Sequence, residues 1–119
     1  MPTQTRRYGI AGYNRETIRS SLESALALKF EERDSFYLGT YLNETSKRFN
    51  ECNIVENLDP LWIPGEDPDD EKFFEATARD CDYLLTITDT PERIASDHHA
   101  IMNAVKNIRI VRDELFEGG

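Results

Sequence analysis

The chain has no long apolar run, and this absence limits the kind of protein it is. No stretch approaches the roughly 18 apolar residues that a membrane-spanning helix needs. Arg6 and Arg7 lie near the start, but no apolar run follows them, so we expect no signal peptide. The sequence therefore predicts a cytoplasmic protein.

Cysteine and histidine are also scarce. Cys52 and Cys81 are the two cysteines, and a reducing compartment would keep both thiols free. We therefore predict two buried or half-buried thiols without a disulfide. His98 and His99 are neighbours, and on a helix their side chains would point about 100° apart, so they cannot easily face one metal ion. We expect His98 to be a packed core or boundary residue.

Motifs for catalysis and phosphate binding are missing as well. The chain has neither a G-x-S-x-G nucleophile elbow nor a G-K-[ST] phosphate loop. Residues 66–71 do not fit a calcium loop, because Lys72 stands where glycine is needed and Ala78 where glutamate is needed. We expect no enzyme activity, metal or cofactor. The weaker alternative is a small metal-dependent hydrolase that uses Asp97, His98 and these acids.

Negative charge is what the chain has in excess. Its net charge is −9 at pH 7. Residues 56–82, called the acidic segment below, carry ten acidic and two basic side chains, a net of −8. Residues 1–55 carry a net of +1 and residues 83–119 a net of −2. This sign disfavours direct binding to nucleic acid or to an anionic membrane, and it favours a basic partner protein.

Hydrophobic patterns predict a single α+β domain with two main helices. The first helix follows Asn14 as N-cap, and the second begins at Thr90 and Pro91. Their apolar stripes are Ile18, Leu22, Ala25, Leu26 and Phe30 for the first, and Ile94, His98, Ile101, Met102 and Val105 for the second.

Five strands complete the predicted domain. They are residues 8–13, 35–43, 49–55, 83–88 and 108–112. The order β-α-β-β-(acidic loop)-β-α-β predicts a mixed or mostly antiparallel sheet of about five strands. Between the elements we predict a charged turn over residues 31–34, irregular structure over 58–68 and a short helix over 70–79, with frayed ends over 1–6 and 117–119.

The acidic segment supplies most of the residues that we predict to bind a partner. Trp62 lies between Pro60 and Pro64 and directly precedes a cluster of carboxylates. Tryptophan is over-represented among interface hot spots, and surrounding charge raises the rate of association. The alternative is that Trp62 folds back into the core. The predicted partner-binding residues are Trp62, Glu66, Asp67, Asp69, Asp70 and Glu71, together with Tyr37 and Tyr41 on an exposed strand face.

Several stretches together carry a family resemblance. They are Tyr-Gly-Ile-Ala-Gly-Tyr-Asn at 8–14 before a helix, Glu-Glu-Arg-Asp-Ser-Phe-Tyr-Leu-Gly-Thr-Tyr at 31–41, the acidic stretch leading to 82–87, and Ile-Arg-Ile-Val-Arg at 108–112. In these the chain resembles small bacterial immunity proteins of contact-dependent growth inhibition and related polymorphic-toxin systems.

The resemblance implies a cytoplasmic protein that binds one cognate toxin C-terminal domain, often a basic nuclease, and blocks its active site in a heterodimer. It implies no catalytic residues, and it transfers no contact residues. The alternative is an acidic adaptor or regulatory domain that binds another basic protein.

Overall fold

Six strands and two helices make up the fold in the computed structural model, which describes residues 2–117 apart from the side chain of Asp70. The elements are β1 (Thr3–Ile10), α1 (Arg15–Leu26), β2 (Phe30–Ser35), β3 (Gly39–Glu44), β4 (Glu51–Glu56), β5 (Tyr83–Asp89), α2 (Pro91–Ala104) and β6 (Ile108–Phe116). The strands form one sheet in the order β2-β3-β4-β5-β1-β6, and every neighbouring pair is antiparallel. The predicted α+β domain is therefore confirmed.

Both helices begin where their capping residues predict. The side chain of Asn14 accepts a hydrogen bond from the backbone N–H of Thr17 at 2.8 Å. Thr90 caps α2 by accepting from the N–H of Arg93, and Pro91 takes the first helical position, where its missing donor costs nothing. The first helix ends earlier than its predicted stripe, because Ala27 adopts a left-handed conformation with φ of 53°.

The main core lies between the helices and one face of the sheet, called the helix face below. Ile18 and Leu22 of α1 and Ile94 and Ile101 of α2 are fully buried there. The sheet contributes alternate residues to this cluster, namely Tyr8, Ile10, Leu42, Cys52, Ile54, Leu85 and Ile87. This period of two places their sequence neighbours on the other side of the sheet.

The opposite face of the sheet is covered in part by the acidic segment. Val55 and Leu84 point to this second face and are buried together with Ala78 and Cys81 of the segment. The approach is close at Gly9, where an added Cβ would lie 2.6 Å from the Sγ of Cys81. The cysteines are both buried and free, as predicted.

The predicted turn at residues 31–34 was wrong, and this accounts for the sixth strand. These residues belong to β2, while the turn falls at residues 36–38. β2 lies at an edge of the sheet and Glu31, Glu32, Arg33 and Asp34 are all exposed, so no apolar alternation marks the strand. Charged side chains on an edge strand discourage pairing with other chains.

Two further predictions need correction. Residues 3–6, assigned to a frayed end, form the first half of β1. All four pair with β6, and residues 4–6 also pair with β5. The helix predicted over 70–79 is replaced by two short 3-10 turns, Asp69–Glu71 and Ala76–Ala78. The segment is held here by side-chain contacts with the sheet instead of by helical hydrogen bonds. Of the predicted C-terminal frayed end, residues 118 and 119 lie outside the described residues.

Candidate protein interface

The acidic segment is fastened to the sheet by a fully buried asparagine. The Nδ2 of Asn57 donates to the carbonyl oxygens of Ala78 and Cys81 at 2.9 and 3.2 Å, and its Oδ1 accepts from the N–H of Glu75 at 2.9 Å. A buried side-chain amide that forms hydrogen bonds with backbone groups of residues 75–81 fixes the path of the chain between Asn57 and those residues. The base of the segment therefore has one defined conformation.

Glu75 provides the second attachment, through two arginines of the sheet. Its carboxylate accepts from the Nη1 of Arg7 at 2.6 Å and from the Nε of Arg112 at 2.7 Å, while its side chain is 3% exposed. Burial raises the pKa of the Glu75 carboxyl, but the hydrogen bonds from Arg112 and Arg7 outweigh burial and leave the pKa below its usual value. Glu75 therefore serves internal structure and does not contribute to a negative surface.

A second carboxylate of the segment is also paired internally. Arg109 of β6 donates two hydrogen bonds of 2.8 Å to Asp80. This contact lowers the pKa of Asp80 to about 2. Both side chains are exposed, so the pair is worth much less than the buried contacts of Glu75.

Four of the carboxylates that we predicted to bind a partner have described side chains, and these four are not paired with a cation. Among the described side chains, Glu66, Asp67, Asp69 and Glu71 form no ion pair. Glu66, Asp69 and Glu71 are exposed, and Asp67 is half-buried because its Oδ2 accepts from the N–H of Ile63 at 2.8 Å. The side chain of Asp70 lies outside the described residues. The run therefore leaves a concentrated negative charge in contact with solvent.

Trp62 is half-buried. This lies between the two outcomes considered from the sequence, an exposed residue that binds a partner and a residue folded into the core. Its Nε1 donates to the carbonyl of Pro68 at 2.9 Å, and the Nζ of Lys72 lies 5.4 Å from the ring centroid. The neighbouring side chains are more open to solvent, with exposed fractions of 40% for Leu61 and 48% for Ile63. Trp62 thus makes a hydrogen bond within the loop, while Leu61 and Ile63 present apolar surface to solvent.

The predicted tyrosine face of a strand was wrong. Tyr37 lies in the β2–β3 turn and is 68% exposed, whereas Tyr41 lies in β3 and is half-buried. The ring of Phe36 packs edge-on against Tyr37 at 5.4 Å between centroids and is 75% exposed. Phe36 was not predicted to bind a partner, because it was assigned to the strand predicted over residues 35–43.

A groove joins the turn to the acidic segment. Its volume is about 370 Å³, and Leu38 and Thr40 line it on one side while Leu58 and Trp62 line it on the other. The Cβ position of Gly39 lies 3.8 Å from Pro60, so the two elements touch. The structure therefore brings the turn that carries Tyr37 next to the part of the acidic segment that carries Trp62, at one end of the sheet. We call this end, with residues 36–40 and 58–72, the docking face.

The histidine pair lies away from the docking face. His98 is half-buried against β1, where its Nδ1 lies 2.7 Å from the hydroxyl of Tyr8, and the two rings stack at 5.8 Å. The prediction of a packed boundary histidine is confirmed. His99 is exposed and contacts Asn103. Within residues 2–117, excluding the Asp70 side chain, no group of three or more His, Cys, Asp or Glu residues is arranged to hold a metal ion.

No protein-family model matches the chain, and no curated protein matches it. Neither helix of the described residues is long and apolar enough to cross a membrane.

Proposed function

We propose that this protein is a cytoplasmic immunity protein that binds a basic toxin domain of the nuclease class and neutralises it. Its acidic segment would cover the toxin surface that otherwise holds RNA or DNA. The observation that carries the proposal is that the described carboxylates of the run, Glu66, Asp67, Asp69 and Glu71, form no internal ion pair and lie beside exposed apolar side chains.

Charge and apolar surface have different tasks in such a complex. Free carboxylates steer a basic partner toward the docking face and set the orientation of encounter. Buried apolar and aromatic anchors then supply most of the affinity. The anchors would be four exposed side chains, Phe36 and Tyr37 on the turn and Leu61 and Ile63 on the segment.

The groove offers apolar walls to a long side chain of the partner. Leu58 and Trp62 offer apolar contact for the methylene stem of such a side chain. The lining also carries two acids, Glu56 and Asp59, and two bases, Arg15 and Lys72. Lysine and arginine bury their stems along apolar surface while the charged head meets a polar group. A nuclease must present such side chains to hold phosphates, so an acidic protein that engages them competes with the substrate.

The fixed base of the segment supports tight binding. Because Asn57 and Glu75 hold the segment to the sheet, little backbone freedom is lost when a partner docks. Preorganised surfaces bind more tightly because less conformational entropy is lost on association.

The experiment is a binding measurement with the toxin domain encoded beside this gene. We expect the double variant Asp69→Lys and Asp70→Lys to associate about 10-fold more slowly at low salt, with the difference shrinking as salt is added. The matched control is Glu51→Lys with Glu92→Lys, which changes the net charge equally. Glu51 begins β4 and Glu92 lies in the first turn of α2, at the opposite end of the sheet from the docking face.

Several outcomes would count against the proposal. They are an adjacent gene without a toxin domain, nuclease activity that persists in excess of this protein, and binding that does not depend on salt. Equal slowing by the control variant would show that net charge acts without a specific face. A circular dichroism spectrum is needed for each variant, since unfolding would imply that the acidic cluster is structural.

A further inference from the structure

The two basic residues of the acidic segment, Lys72 and Arg79, both lie against aromatic rings. The Nζ of Lys72 lies 5.4 Å from the ring centroid of Trp62 and 5.7 Å from that of Phe73. The Cζ of Arg79 lies 5.8 Å from the centroid of Phe73. A cation within about 6 Å of a ring centroid is attracted by the negative face of the ring. Among the described side chains neither base forms an ion pair, although the segment carries ten acids. The segment therefore places its cations on these rings.

The aromatic site is built by hydrogen bonds that do not involve the side chain of Lys72. The backbone N–H of Asp59 donates to the carbonyl of Lys72 at 2.8 Å, and the N–H of Trp62 donates to the carbonyl of Asp59 at 3.1 Å. The indole Nε1 of Trp62 donates to the carbonyl of Pro68 at 2.9 Å. The ring of Trp62 is therefore held by the backbone of the segment, and its position does not depend on where the ammonium group of Lys72 lies.

The groove of the docking face includes part of this site. Its lining contains Trp62 and the bases Lys72 and Arg15, together with the carboxylates of Glu56 and Asp59. Arg15 is paired with Glu32 at 2.8 Å, whereas neither carboxylate of the lining forms an ion pair with a described side chain. A second cation that enters the groove therefore finds two carboxylates without a cation, but it also meets the ammonium group of Lys72. Like charges this close repel each other.

We propose that a lysine of the partner protein binds against Trp62 in this groove and displaces the ammonium group of Lys72. Lys72 shows which chemistry the site accepts, because its own alkylammonium group lies over both rings. The identity of the partner rests on the proposed function, whereas the exchange itself can be measured without that partner.

The loss of the internal Lys72 contact costs little. The side chain is half-buried, and an exposed cation–π contact changes an equilibrium constant by about 2- to 5-fold. The released side chain regains rotamer freedom, which offsets part of this cost. The incoming lysine gains the ring of Trp62 and also the carboxylates of Glu56 and Asp59. A protein surface is the occupant because the run at residues 66–71 adds further carboxylates to the docking face, and several cations on one partner can neutralise them.

The first test follows Lys72 by NMR in protein that carries isotope-labelled lysine, with pentalysine as the probe. Because protons above an aromatic ring resonate upfield, the ε-methylene signal of Lys72 should lie upfield of those of the other lysines, Lys29, Lys47 and Lys106. Pentalysine at low salt should move the Lys72 signal toward the other three, and added salt should reverse the change. A Lys72 signal that is not upfield in the free protein, or that does not move with pentalysine, would overturn the exchange. Either result leaves the proposed function standing, because salt-dependent binding of a toxin does not require Lys72 to move.

The second test measures the affinity for pentalysine through the fluorescence of Trp62, the single tryptophan of the chain. Lys72→Gln removes the competing ammonium group and should bind pentalysine about 2- to 5-fold more tightly than Lys29→Gln does. This control removes the same charge from an exposed side chain next to the start of β2, at the end of the sheet opposite the β2–β3 turn. Equal affinities of the two variants, with thermal melts showing that both are folded, would refute the competition. An adjacent gene without a toxin domain would remove the proposed partner but would not change this result.

Discussion

Replacing Glu75 with glutamine tests how the acidic segment is held to the sheet. The change keeps the shape of the side chain but removes the charge that Arg7 and Arg112 contact at 2.6 and 2.7 Å. Removing one member of a buried ion pair costs about 3–5 kcal/mol when both charges are buried. Here the arginine side chains are 28% and 50% exposed, so water takes over part of their solvation. We therefore expect the free energy of unfolding to fall by about 2 kcal/mol.

The stability difference between the wild type and Glu75→Gln should depend on pH in a defined direction. The pKa of the Glu75 carboxyl is lower in the folded protein than its usual value of 4.5. A depressed pKa contributes stability that is present above the unfolded value and is lost as the pH falls through the folded value. The difference between the wild type and Glu75→Gln should therefore be full at neutral pH and shrink below about pH 4. Other carboxyl groups titrate in both proteins and cancel in the difference.

The assay is urea unfolding, followed by the fluorescence of Trp62 and by circular dichroism at neutral and acidic pH. Asp80→Asn is the matched control, because it removes a charge from another carboxylate that an arginine of β6 contacts, in an exposed pair. Its effect on the free energy of unfolding should be clearly smaller. An equal loss in both variants, or a Glu75→Gln loss that is the same at both pH values, would refute the reasoning.

Three other predictions follow from contacts at the base of the acidic segment. Asn57→Ala should lower the free energy of unfolding by about 3 kcal/mol in urea, because it leaves buried backbone groups without partners; a loss below about 1 kcal/mol would contradict this assignment. Gly9→Ala should cost about 1–3 kcal/mol, and adding Cys81→Ala should recover part of it, since the clash at 2.6 Å is with Sγ; strictly additive losses would disprove the contact. The thiols should not react with Ellman's reagent in the native protein, because burial limits access and raises the pKa of Cys52 and Cys81; rapid labelling without urea would contradict the structure.

Local chemistry was sufficient to predict the helices and most of the strands. Asn14 and Thr90 with Pro91 mark helix starts because their side chains satisfy nearby backbone donors, and those contacts are present. The strand β2 could not be predicted in the same way. Both faces of β2 are largely exposed, so the strand lacks the alternation of apolar and polar residues that identifies a half-buried strand. The aromatic residues that follow β2 led instead to a predicted strand over residues 35–43, which includes the observed turn.

The sequence predicted the candidate site as a charged region, but it did not predict which of the carboxylates pair with arginines of the sheet. Glu75 looks like any other acid of the segment, because its partners Arg7 and Arg112 are 68 and 37 positions away in the sequence. Sequence spacing cannot show which carboxylates meet a distant strand. The exposure of Phe36, and the correction of Tyr37 from a strand to a turn, depended in the same way on tertiary structure.

The two ends of the acidic segment meet at its base, where the backbone N–H of Asn57 donates to the carbonyl of Asp82 at 2.9 Å. The sheet depends on this closing hydrogen bond and on the anchoring side chains, but it does not depend on the residues at the tip of the loop. Residues 58–72 could therefore be exchanged for another sequence at modest cost to stability. Evolution, or a protein engineer, could place a different surface on this scaffold while leaving its core untouched.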